Sequence, residues 1–224
     1  MVILVMSCDK NQDLWYPFYH CMEKYWPNHP EVIYSTETKQ NPYYKTINFN
    51  YPIEQWTKRV RDTVRKFVGH EYVLLMCDDI FIRSEVNDKL IKKLTMKLKG
   101  GVAAINFEFP WDDKDIKFDI HTRSRSRKGN YKTSVMCGLW HIQPMLKIFE
   151  IDCNPWEFEQ VNHHCNYVFL ISNDKPFIDF GLKEHAALFG VYQGKWCQEC
   201  VDFFKQEGLD IDFEQRGITN KTHY

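Results

Sequence analysis

Two adjacent carboxylates, Asp78 and Asp79, interrupt an apolar stretch that reads VLLMCDDIF over residues 73–81. Burying two negative charges side by side is costly unless something neutralises them. If the apolar stretch is a strand of an open α/β sheet, the pair lies at the strand's carboxyl end, where ligands of such sheets bind. Carboxylate oxygens are the ligands that Mg²⁺ and Mn²⁺ prefer. The pair therefore predicts a divalent-cation site, and the alternative is that one aspartate caps a turn while the other faces solvent.

Three further carboxylates surround a predicted helix start at Pro155, a position that proline favours. Glu157 falls in the first helical turn, where the helix dipole stabilises an ionised carboxylate. Such a group can remove the proton of an attacking hydroxyl. Glu157 is the first candidate for this base, Asp152 the second and Glu159 the third, the alternative being ordinary carboxylates near a helix start.

Cys197 and Cys200 have the Cys-x-x-Cys spacing of zinc ligands, and His163, His164 and Cys165 lie upstream. The pair falls in an amphipathic helical pattern, however, and the sequence has no second Cys-x-x-Cys. The eight cysteines are therefore expected to be mostly buried free thiols of a reducing compartment. A zinc-stabilised, non-enzymatic module is the alternative.

A basic stretch, HTRSRSRKGN, contains Arg123, Arg125, Arg127 and Lys128. Alternating arginine and serine can bind phosphate or RNA. The whole chain has a formal net charge of -1 and a pI near 6.7, which argues against a general polyanion-binding protein. We expect no nucleic-acid partner and interpret the stretch as a solvated loop, with a nucleic-acid-binding module as the alternative.

The segments that must position these residues alternate between strand and helix patterns. Short apolar runs rich in β-branched residues predict strands at 1–6, 31–35, 71–77 and 102–107. Helices are predicted between them. Asp13 can cap a helix that runs to about Tyr25, apolar residues at helical spacing predict a second from Ile53 to Val68, and Ser84 can cap a third that ends before Gly100. This order predicts an α/β fold with a mainly parallel central sheet flanked by helices.

The second half of the chain is more mixed. It combines a polar stretch at 110–130 with extended segments and helices, the strands being expected at 132–141, 167–171 and 186–191 and the helices at 144–149, 155–166 and 197–206. We expect a single domain over the 224 residues. It would consist of a first half at about 1–108, a second half at about 109–210 and a polar tail at 211–224. The opening MVILVM is too short for a signal peptide and no run approaches the ~20 apolar residues of a membrane helix, so we expect a cytoplasmic protein without a membrane span.

The order of these motifs resembles the nucleotide-sugar-dependent glycosyltransferases of the GT-A fold, over about Val2 to Trp196. In that family a short acidic motif, usually Asp-x-Asp, ends a strand and binds the metal and diphosphate of the donor. Here the motif is Cys77-Asp78-Asp79, so a cysteine stands at the first acidic position. The resemblance implies that Asp79 is the main metal ligand and that Asp78 is a ribose contact or second metal ligand.

Other segments extend the resemblance. Ser7, Cys8 and Asp9 in SCDKNQDLW fit the loop that receives the nucleotide base and ribose. Arg59 in WTKRVRD fits a contact to the diphosphate or base, and Lys195 in GVYQGKW could neutralise the diphosphate. The stretch CGLWHIQPMLKIFEIDCNPWEFE resembles the acceptor-side segment of these enzymes.

The resemblance implies a transferase that moves a sugar from a nucleoside-diphosphate sugar to a hydroxyl of a glycan acceptor, with Mn²⁺ or Mg²⁺ as cofactor. Inversion is expected, because a base can be named and a nucleophile cannot. UDP is the expected nucleotide, with glucose or L-rhamnose as the sugar. Rhamnose follows from a further resemblance to a glycosyltransferase domain of chlorella-infecting viruses, which would place the protein in the host cytoplasm. His121 and His185 are candidates for a further metal ligand. Trp111 or Trp140 could stack on a sugar, with core packing the safer interpretation of Trp140. The resemblance makes the half at about 1–108 the nucleotide-binding half and that at about 109–210 the acceptor-side half.

Overall fold

The computed structural model describes residues 1–107, 116–120, 122–124, 133–160, 167–172 and 189–221 of the chain. Contacts between residues divide the chain into two compact units. Unit 1 comprises Met1–Asp9, Pro30–Cys77 and Asn87–Pro176. Unit 2 comprises Lys10–His29, Asp78–Val86 and Phe177–Tyr224.

Unit 1 is built on one large sheet. Its described strands are β1 (Val2–Met6), β2 (Val32–Thr36), β3 (Lys45–Asn48), β4 (Tyr72–Cys77), β5 (Val102–Asn106), β6 (Ile116–Lys117), β7 (Thr122–Ser124), β8 (Cys137–His141) and β9 (Val168–Ser172). They lie in the order β3-β2-β1-β4-β8-β5-β9-β7-β6. Of these described strands, β7 and β8 run in the direction opposite to the other seven. The predicted α/β fold with a mainly parallel sheet is confirmed.

The first, second and fourth strands end at the same edge of this sheet. Met6 at the end of β1 pairs with Ser35 of β2 and with Cys77 of β4. All five residues of β1 are buried, which is typical of parallel strands that are covered on both faces. The segments that follow these strands therefore begin at one carboxyl edge, where ligands of such sheets bind.

The helices in the described parts of the chain are α1 (Gln12–Tyr25), α2 (Trp56–Val64), α3 (Asp88–Thr95), α4 (Ile142–Ile148), α5 (Pro155–Gln160) and α6 (Gln198–Gln206). In unit 1, Trp56 of α2 and Phe158 of α5 both pack against Phe149, which follows α4. Trp140 is fully buried against Phe149 and Phe169, so it is a core side chain and does not offer a face to a sugar. None of the described helices has the length and apolar character needed to cross a membrane.

Two predicted helix caps are wrong. α3 starts after Asn87 and not after Ser84, because the Oδ1 atom of Asn87 accepts a hydrogen bond from Leu90 N at 3.0 Å. Asp13 lies within the first turn of α1, whose N-cap is Asn11. The carboxylate of Asp13 is held instead by an arginine from the end of the chain, a contact described below with the acidic pair.

Unit 2 has a small sheet and an aromatic core of its own. Its strands β10 (Val191–Tyr192), β11 (Lys195–Cys197) and β12 (Ile218–Thr219) form one three-stranded sheet. The ring of Phe81 meets the edge of Phe204 at a centroid distance of 4.9 Å, and Trp196 meets Phe213 at 5.5 Å. The stretch predicted to be a polar tail therefore supplies strand β12 and Phe213, which packs on Trp196 together with Phe81 and Phe204.

Candidate functional site

A buried arginine lies at the carboxyl edge of unit 1. Arg59 of α2 is only 4% exposed, although it carries a charge. Its Nη2 atom donates to the backbone oxygen of Ser7 at 2.8 Å, and its Nη1 atom forms an ion pair with Glu37. Its Nε atom is buried and has no hydrogen-bond partner within the described residues. The guanidinium is thus fixed beside the residues that follow β1 and β2.

Helix α2 is aligned with this edge by hydroxyl contacts. Ser35 Oγ of β2 lies 3.0 Å from Thr63 Oγ1, and the Thr63 hydroxyl also donates to the backbone oxygen of Arg59 at 2.8 Å. Both hydroxyl groups are buried. Buried polar groups that are all hydrogen-bonded favour one specific arrangement, so these contacts hold α2 in register with β2.

Glu37 and Asp9 link the segments after β1 and β2. Asp9 N donates to Glu37 Oε2 at 2.6 Å, while the Asp9 carboxylate accepts from Thr38 N at 3.1 Å and from Lys39 N at 3.0 Å. Burial acts to raise the pKa of Asp9, but the hydrogen bonds from Thr38 and Lys39 outweigh it and lower the pKa. Asp9 therefore acts as an anchor for the segment after β2.

The remaining residues of this loop are arranged around its backbone. Ser7 N donates to Ser35 O at 3.0 Å, and Ser7 Oγ lies 3.5 Å from Cys8 O. The side chain of Cys8 is half-buried. The structure thus brings together four of the predicted donor-site residues, Ser7, Cys8, Asp9 and Arg59, in unit 1.

The acidic pair belongs to unit 2, directly after β4 in the chain. Asp78 is 4% exposed, and its Oδ1 atom accepts a hydrogen bond from Asn11 Nδ2 at 3.1 Å. Burial and the neighbouring Asp78 charge raise the pKa of Asp79 to about 8. Two adjacent carboxylates repel each other because their charges are alike. A hard divalent cation suits such a pair, because its charge offsets both.

No group of three or more histidine, cysteine, aspartate or glutamate side chains with metal-binding geometry occurs among the described residues. A cation held by Asp78 and Asp79 would thus need further oxygen ligands. Mg²⁺ is commonly bound by one or two carboxylates together with water and substrate phosphates. The pair therefore fits a site that is completed by a phosphate-bearing substrate.

A salt-bridge network supports Asn11 and, through it, Asp78. Arg216 binds Asp13 through two nitrogen atoms, with Nη2 to Oδ1 at 2.6 Å, and Nη2 also donates to Asn11 Oδ1 at 2.8 Å. Bidentate pairs of this kind are among the stronger hydrogen-bonded interactions in proteins. The order Asp13, Arg216, Asn11, Asp78 is therefore a chain of contacts that fixes one carboxylate of the pair.

Gly190 connects the acidic pair to the last part of unit 2. Gly190 N donates to Asp79 O at 2.7 Å, and Cys197 N donates to Gly190 O at 2.8 Å. A Cβ atom at Gly190 would lie 2.1 Å from Phe81 Cε2, so only glycine fits without a shift of that ring. Lys195 lies further along, exposed on β11.

The three candidate bases, all in unit 1, have different partners. Glu157 and Asn154 form a reciprocal cap of α5, with Glu157 N to Asn154 Oδ1 at 2.8 Å and Asn154 N to Glu157 Oε2 at 3.3 Å. Asp152 pairs with Arg61 at 3.1 Å and is well exposed. These contacts give both carboxylates a structural role.

Glu159 is the candidate that lies beside the carboxyl edge of β4. Its Oε1 atom accepts from Val135 N at 3.0 Å. Val135 and Met136 in turn contact Cys77, through Val135 O to the Cys77 thiol at 3.7 Å and Met136 O to Cys77 N at 3.2 Å. The third candidate from the sequence is therefore the one placed next to the last residue of β4.

The cysteine pair of the zinc hypothesis is buried in unit 2. Arg83 Nη2 donates to Cys200 Sγ at 3.3 Å, and the Cys197 thiol lies 3.9 Å from Lys221 O. Burial, followed by the charge of Asp79, raises the pKa of the Cys197 thiol to about 11. Burial raises the pKa of Cys200 as well. Thiolates are the zinc-binding form, so these neighbours do not favour zinc.

Several predicted residues lie outside the described parts of the chain. They are the candidate metal ligands His121 and His185, the sugar-stacking candidate Trp111, most of the basic stretch with Arg125, Arg127 and Lys128, and the upstream zinc candidates His163, His164 and Cys165. Arg123 belongs to strand β7. Their proposed roles stay predictions.

Sequence reasoning missed Glu37, Asn11 and Arg216. Glu37 stands in the segment between strands β2 and β3, and its only signal in the sequence is its place just after β2. Asn11 and Arg216 are 205 positions apart, so nothing local in the sequence indicates their contact. Asn106, at the end of β5, was also missed, and it is fully buried against Gly138, where a Cβ atom would lie 2.6 Å from Asn106 Oδ1.

No protein-family model matches the chain, and no curated protein matches it. Among solved structures, the galactosyltransferase LgtC in complex with donor and acceptor sugar analogs is similar with a TM-score of 0.42 and 8% identity, over 66% of this chain and 60% of LgtC. An active-site mutant of LgtC gives 0.43 and 9%, over 66% and 59%. A cytidylyltransferase from Leptospira borgpetersenii serovar Hardjo-bovis gives 0.45 and 9%, over 80% and 78%. The chain spans 60% of the length of LgtC, so the function proposed below rests on the chain's own residues.

Proposed function

We propose that the chain is a metal-dependent glycosyltransferase that moves a sugar from a nucleoside-diphosphate sugar to a hydroxyl of a glycan acceptor, with inversion. The observation that carries the proposal is the pair Asp78-Asp79, which directly follows the buried strand β4. A cation would offset the charge of the pair, and diphosphate oxygens and water would supply its other ligands.

We assign the nucleoside end of the donor to the Arg59 edge of unit 1. Arg59 is held by Glu37 and by the backbone of Ser7, so its position is set before a ligand binds. Preorganised groups of this kind lose little entropy on binding. Ser7 and Cys8 supply polar atoms of the loop, and Asp9 has a positioning role because its carboxylate holds Thr38 and Lys39.

The acidic pair is assigned to the diphosphate end of the donor. Asp79 is the proposed main ligand of Mn²⁺ or Mg²⁺, and Asp78 is the second, oriented by Asn11. Such a cation, when bound, acts as a Lewis acid that stabilises the diphosphate leaving group. Lys195, which is exposed on β11, is proposed to offset further charge on the diphosphate.

We propose Glu159 as the residue that removes the proton from the acceptor hydroxyl. The contact of Glu159 with Val135 supports this choice, because Val135 lies beside the end of β4. Glu157 and Asp152, the first and second choices from the sequence, stay as the alternative bases, although Glu157 caps α5 and Asp152 pairs with Arg61. A base without a covalent nucleophile supports inversion rather than retention.

UDP-glucose and UDP-L-rhamnose are the proposed donors, and the resemblance of the sequence supports them. The test is incubation of the protein with a panel of nucleotide sugars, with Mn²⁺, with Mg²⁺ and with a chelator. We expect cleavage of one UDP-sugar that stops when the chelator is present, and faster cleavage when a glycan acceptor is added. The proposal fails if none of the nucleotide sugars is consumed with either cation.

A further inference from the structure

Three large apolar side chains are exposed in two neighbouring segments of unit 1. Met96 is 64% exposed, Phe118 is 53% exposed and Ile120 is 74% exposed. Single exposed apolar residues are ordinary, but several in one place usually mark a surface that binds something. Met96 follows α3, and Phe118 and Ile120 follow β6.

An ion pair joins these two segments. Lys97, next to Met96, binds the carboxylate of Asp119, which lies between Phe118 and Ile120. The second segment is itself a tight turn, because Asp119 N donates to Thr122 O at 3.0 Å and Thr122 N donates to Asp119 Oδ1 at 2.9 Å. The apolar side chains therefore belong to one ordered surface rather than to a loose loop.

The same surface is strongly basic. Residues 88–99 and 116–120 contain six lysines and two aspartates, a formal charge of +4 in a chain whose total is -1. α3 buries Ile91 and Leu94 and leaves its lysines on the outer side. The exposed lysines are Lys89, Lys92, Lys93, Lys99 and Lys117. The rest of the chain is consequently acidic, so this cationic patch stands out against it.

We propose that this basic and apolar surface docks on an anionic lipid membrane. Lysine ammonium groups would meet lipid phosphate and carboxylate groups, while Met96, Phe118 and Ile120 enter the boundary between headgroups and acyl chains. Interfacial binding of this type needs both a cationic and an apolar contribution, and neither requires a helix that spans the membrane. The inference is independent of the proposed transferase activity.

A membrane fits this surface better than a nucleic acid does. Single-stranded nucleic acids are bound by aromatic side chains that stack on bases, together with a cationic groove. Two of the three exposed apolar residues, Met96 and Ile120, have no ring, so they cannot stack. Aliphatic side chains beside lysines are instead matched by the acyl and headgroup layers of a lipid leaflet.

The test is co-sedimentation of the full chain with vesicles. Vesicles of phosphatidylcholine alone are compared with vesicles that also contain about 30 mol% phosphatidylserine. We expect binding only to the anionic vesicles, and we expect it to weaken when the salt is raised from about 0.05 M to about 0.5 M, since salt screens the lysines. Absence of binding to the anionic vesicles at low salt overturns the proposal.

Two sets of variants separate the charge from the apolar contribution. Lys89→Gln, Lys92→Gln and Lys99→Gln together should weaken partitioning about 100-fold, since each lysine contributes roughly fivefold. Phe118→Ser with Ile120→Ser should weaken partitioning at both salt concentrations.

The control variant neutralises three exposed lysines elsewhere, Lys66, Lys147 and Lys205, and should bind vesicles about as well as the wild type. Circular dichroism spectra must match among all variants for the comparison to count. If the control loses as much binding as the variant with Lys89, Lys92 and Lys99 replaced, the proposal is overturned, because binding would then depend only on the total charge of the protein. Retention of a labelled RNA without vesicle binding overturns it in favour of a nucleic-acid partner.

Discussion

The two clusters of charged residues differ in how their charges are balanced. In unit 1, Arg59 offsets Glu37, and backbone N–H groups of Thr38 and Lys39 stabilise Asp9. In unit 2, Asp78 and Asp79 stand side by side, and their interaction helps to raise the pKa of Asp79. The charges of the first cluster are balanced by groups within unit 1, whereas the two carboxyl groups of the second disfavour each other's ionised form until a proton or a cation offsets their charge. Our proposal therefore combines a preformed nucleoside surface with a cation site that depends on its ligand.

The largest expected effect comes from Asp79→Asn. Removal of one carboxylate should lower sugar transfer about 1000-fold, because cation binding supplies several kcal/mol to leaving-group stabilisation. Stability without a cation should not fall, since a neutral amide replaces a carboxyl group whose pKa burial and the Asp78 charge raise to about 8. Transfer rates and melting temperatures, with and without Mn²⁺, check both statements. Asp210→Asn, at an exposed carboxylate of the same unit, is the matched control. An Asp79→Asn protein whose melting temperature Mn²⁺ raises as much as that of the wild type would contradict the proposed difference between the two clusters.

The next effect concerns the base. Glu159→Gln should lower kcat about 100-fold, a typical contribution of general base catalysis, with little change in donor affinity. Glu157→Gln should instead cost only about 0.3–1 kcal/mol of stability, since the new amide oxygen can still accept from Asn154 N and only the negative charge near the start of α5 is lost, and should leave kcat near the wild-type value. Single-turnover rates and urea unfolding distinguish these outcomes. If Glu157→Gln or Asp152→Asn proved the slower variant, the order inferred from the sequence would replace ours.

Arg59→Met tests whether the unit 1 cluster is balanced as described. The change leaves Glu37 without its cation, so we expect a loss of about 2–3 kcal/mol in the free energy of unfolding and weaker UDP binding. The double variant Arg59→Met with Glu37→Gln should regain most of the stability but not the UDP affinity. Urea unfolding and calorimetric titration measure the two quantities. A double variant as unstable as the single one would show that charge balance is not what Arg59 provides.

A smaller effect is expected at Glu207, a carboxylate of unit 2 that is not part of the acidic pair. Burial acts to raise the pKa of Glu207, but hydrogen bonds from Lys24, His20 and Tyr25 outweigh it and lower the pKa to about 2. The folded-state pKa is depressed, so this stabilisation is present above the ordinary value of 4.5 and is lost as pH falls toward 2.

Glu207→Gln should therefore cost about 2 kcal/mol at neutral pH and flatten the pH dependence of unfolding below pH 4.5. Urea unfolding at several acidic pH values measures this. Glu214→Gln, at an exposed carboxylate of the same unit, is the control. If the free energy of unfolding of the Glu207→Gln variant kept the wild-type dependence on pH below 4.5, the hydrogen bonds of Glu207 would contribute no stability.

The fold could be predicted from the sequence where local patterns decide it. The buried strands β1 and β4 are continuous apolar runs, and the place of Asp78-Asp79 after β4 follows from that pattern alone. What could not be predicted is which partner each charged side chain finds. Glu157 lies at a helix start, as expected. Only the fold shows that its carboxylate accepts a hydrogen bond from Asn154 N and that Glu159 accepts one from Val135 N.

Long-range contacts account for the rest. Asp9 and Glu37 are 28 positions apart, and Arg216 reaches Asp13 across 203 positions. No periodicity or spacing rule encodes such contacts, because they depend on which distant segments the folding of each unit brings together. The predicted caps at Asp13 and Ser84 failed for a related reason, since Asn11 and Asn87 occupy the cap positions of α1 and α3.

The central claim is that the acidic pair binds a cation together with a nucleotide sugar. Melting temperatures of the wild-type protein with UDP-glucose, UDP-L-rhamnose and other nucleotide sugars, each with and without Mn²⁺, test it most directly. A ligand at 100 times its Kd adds about 2.7 kcal/mol, which raises the Tm of a protein of this size by roughly 5–10 °C. We predict such a rise for at least one UDP-sugar, only with Mn²⁺ present and only while Asp79 is intact. A Tm that no nucleotide sugar changes in the presence of Mn²⁺ would contradict the claim.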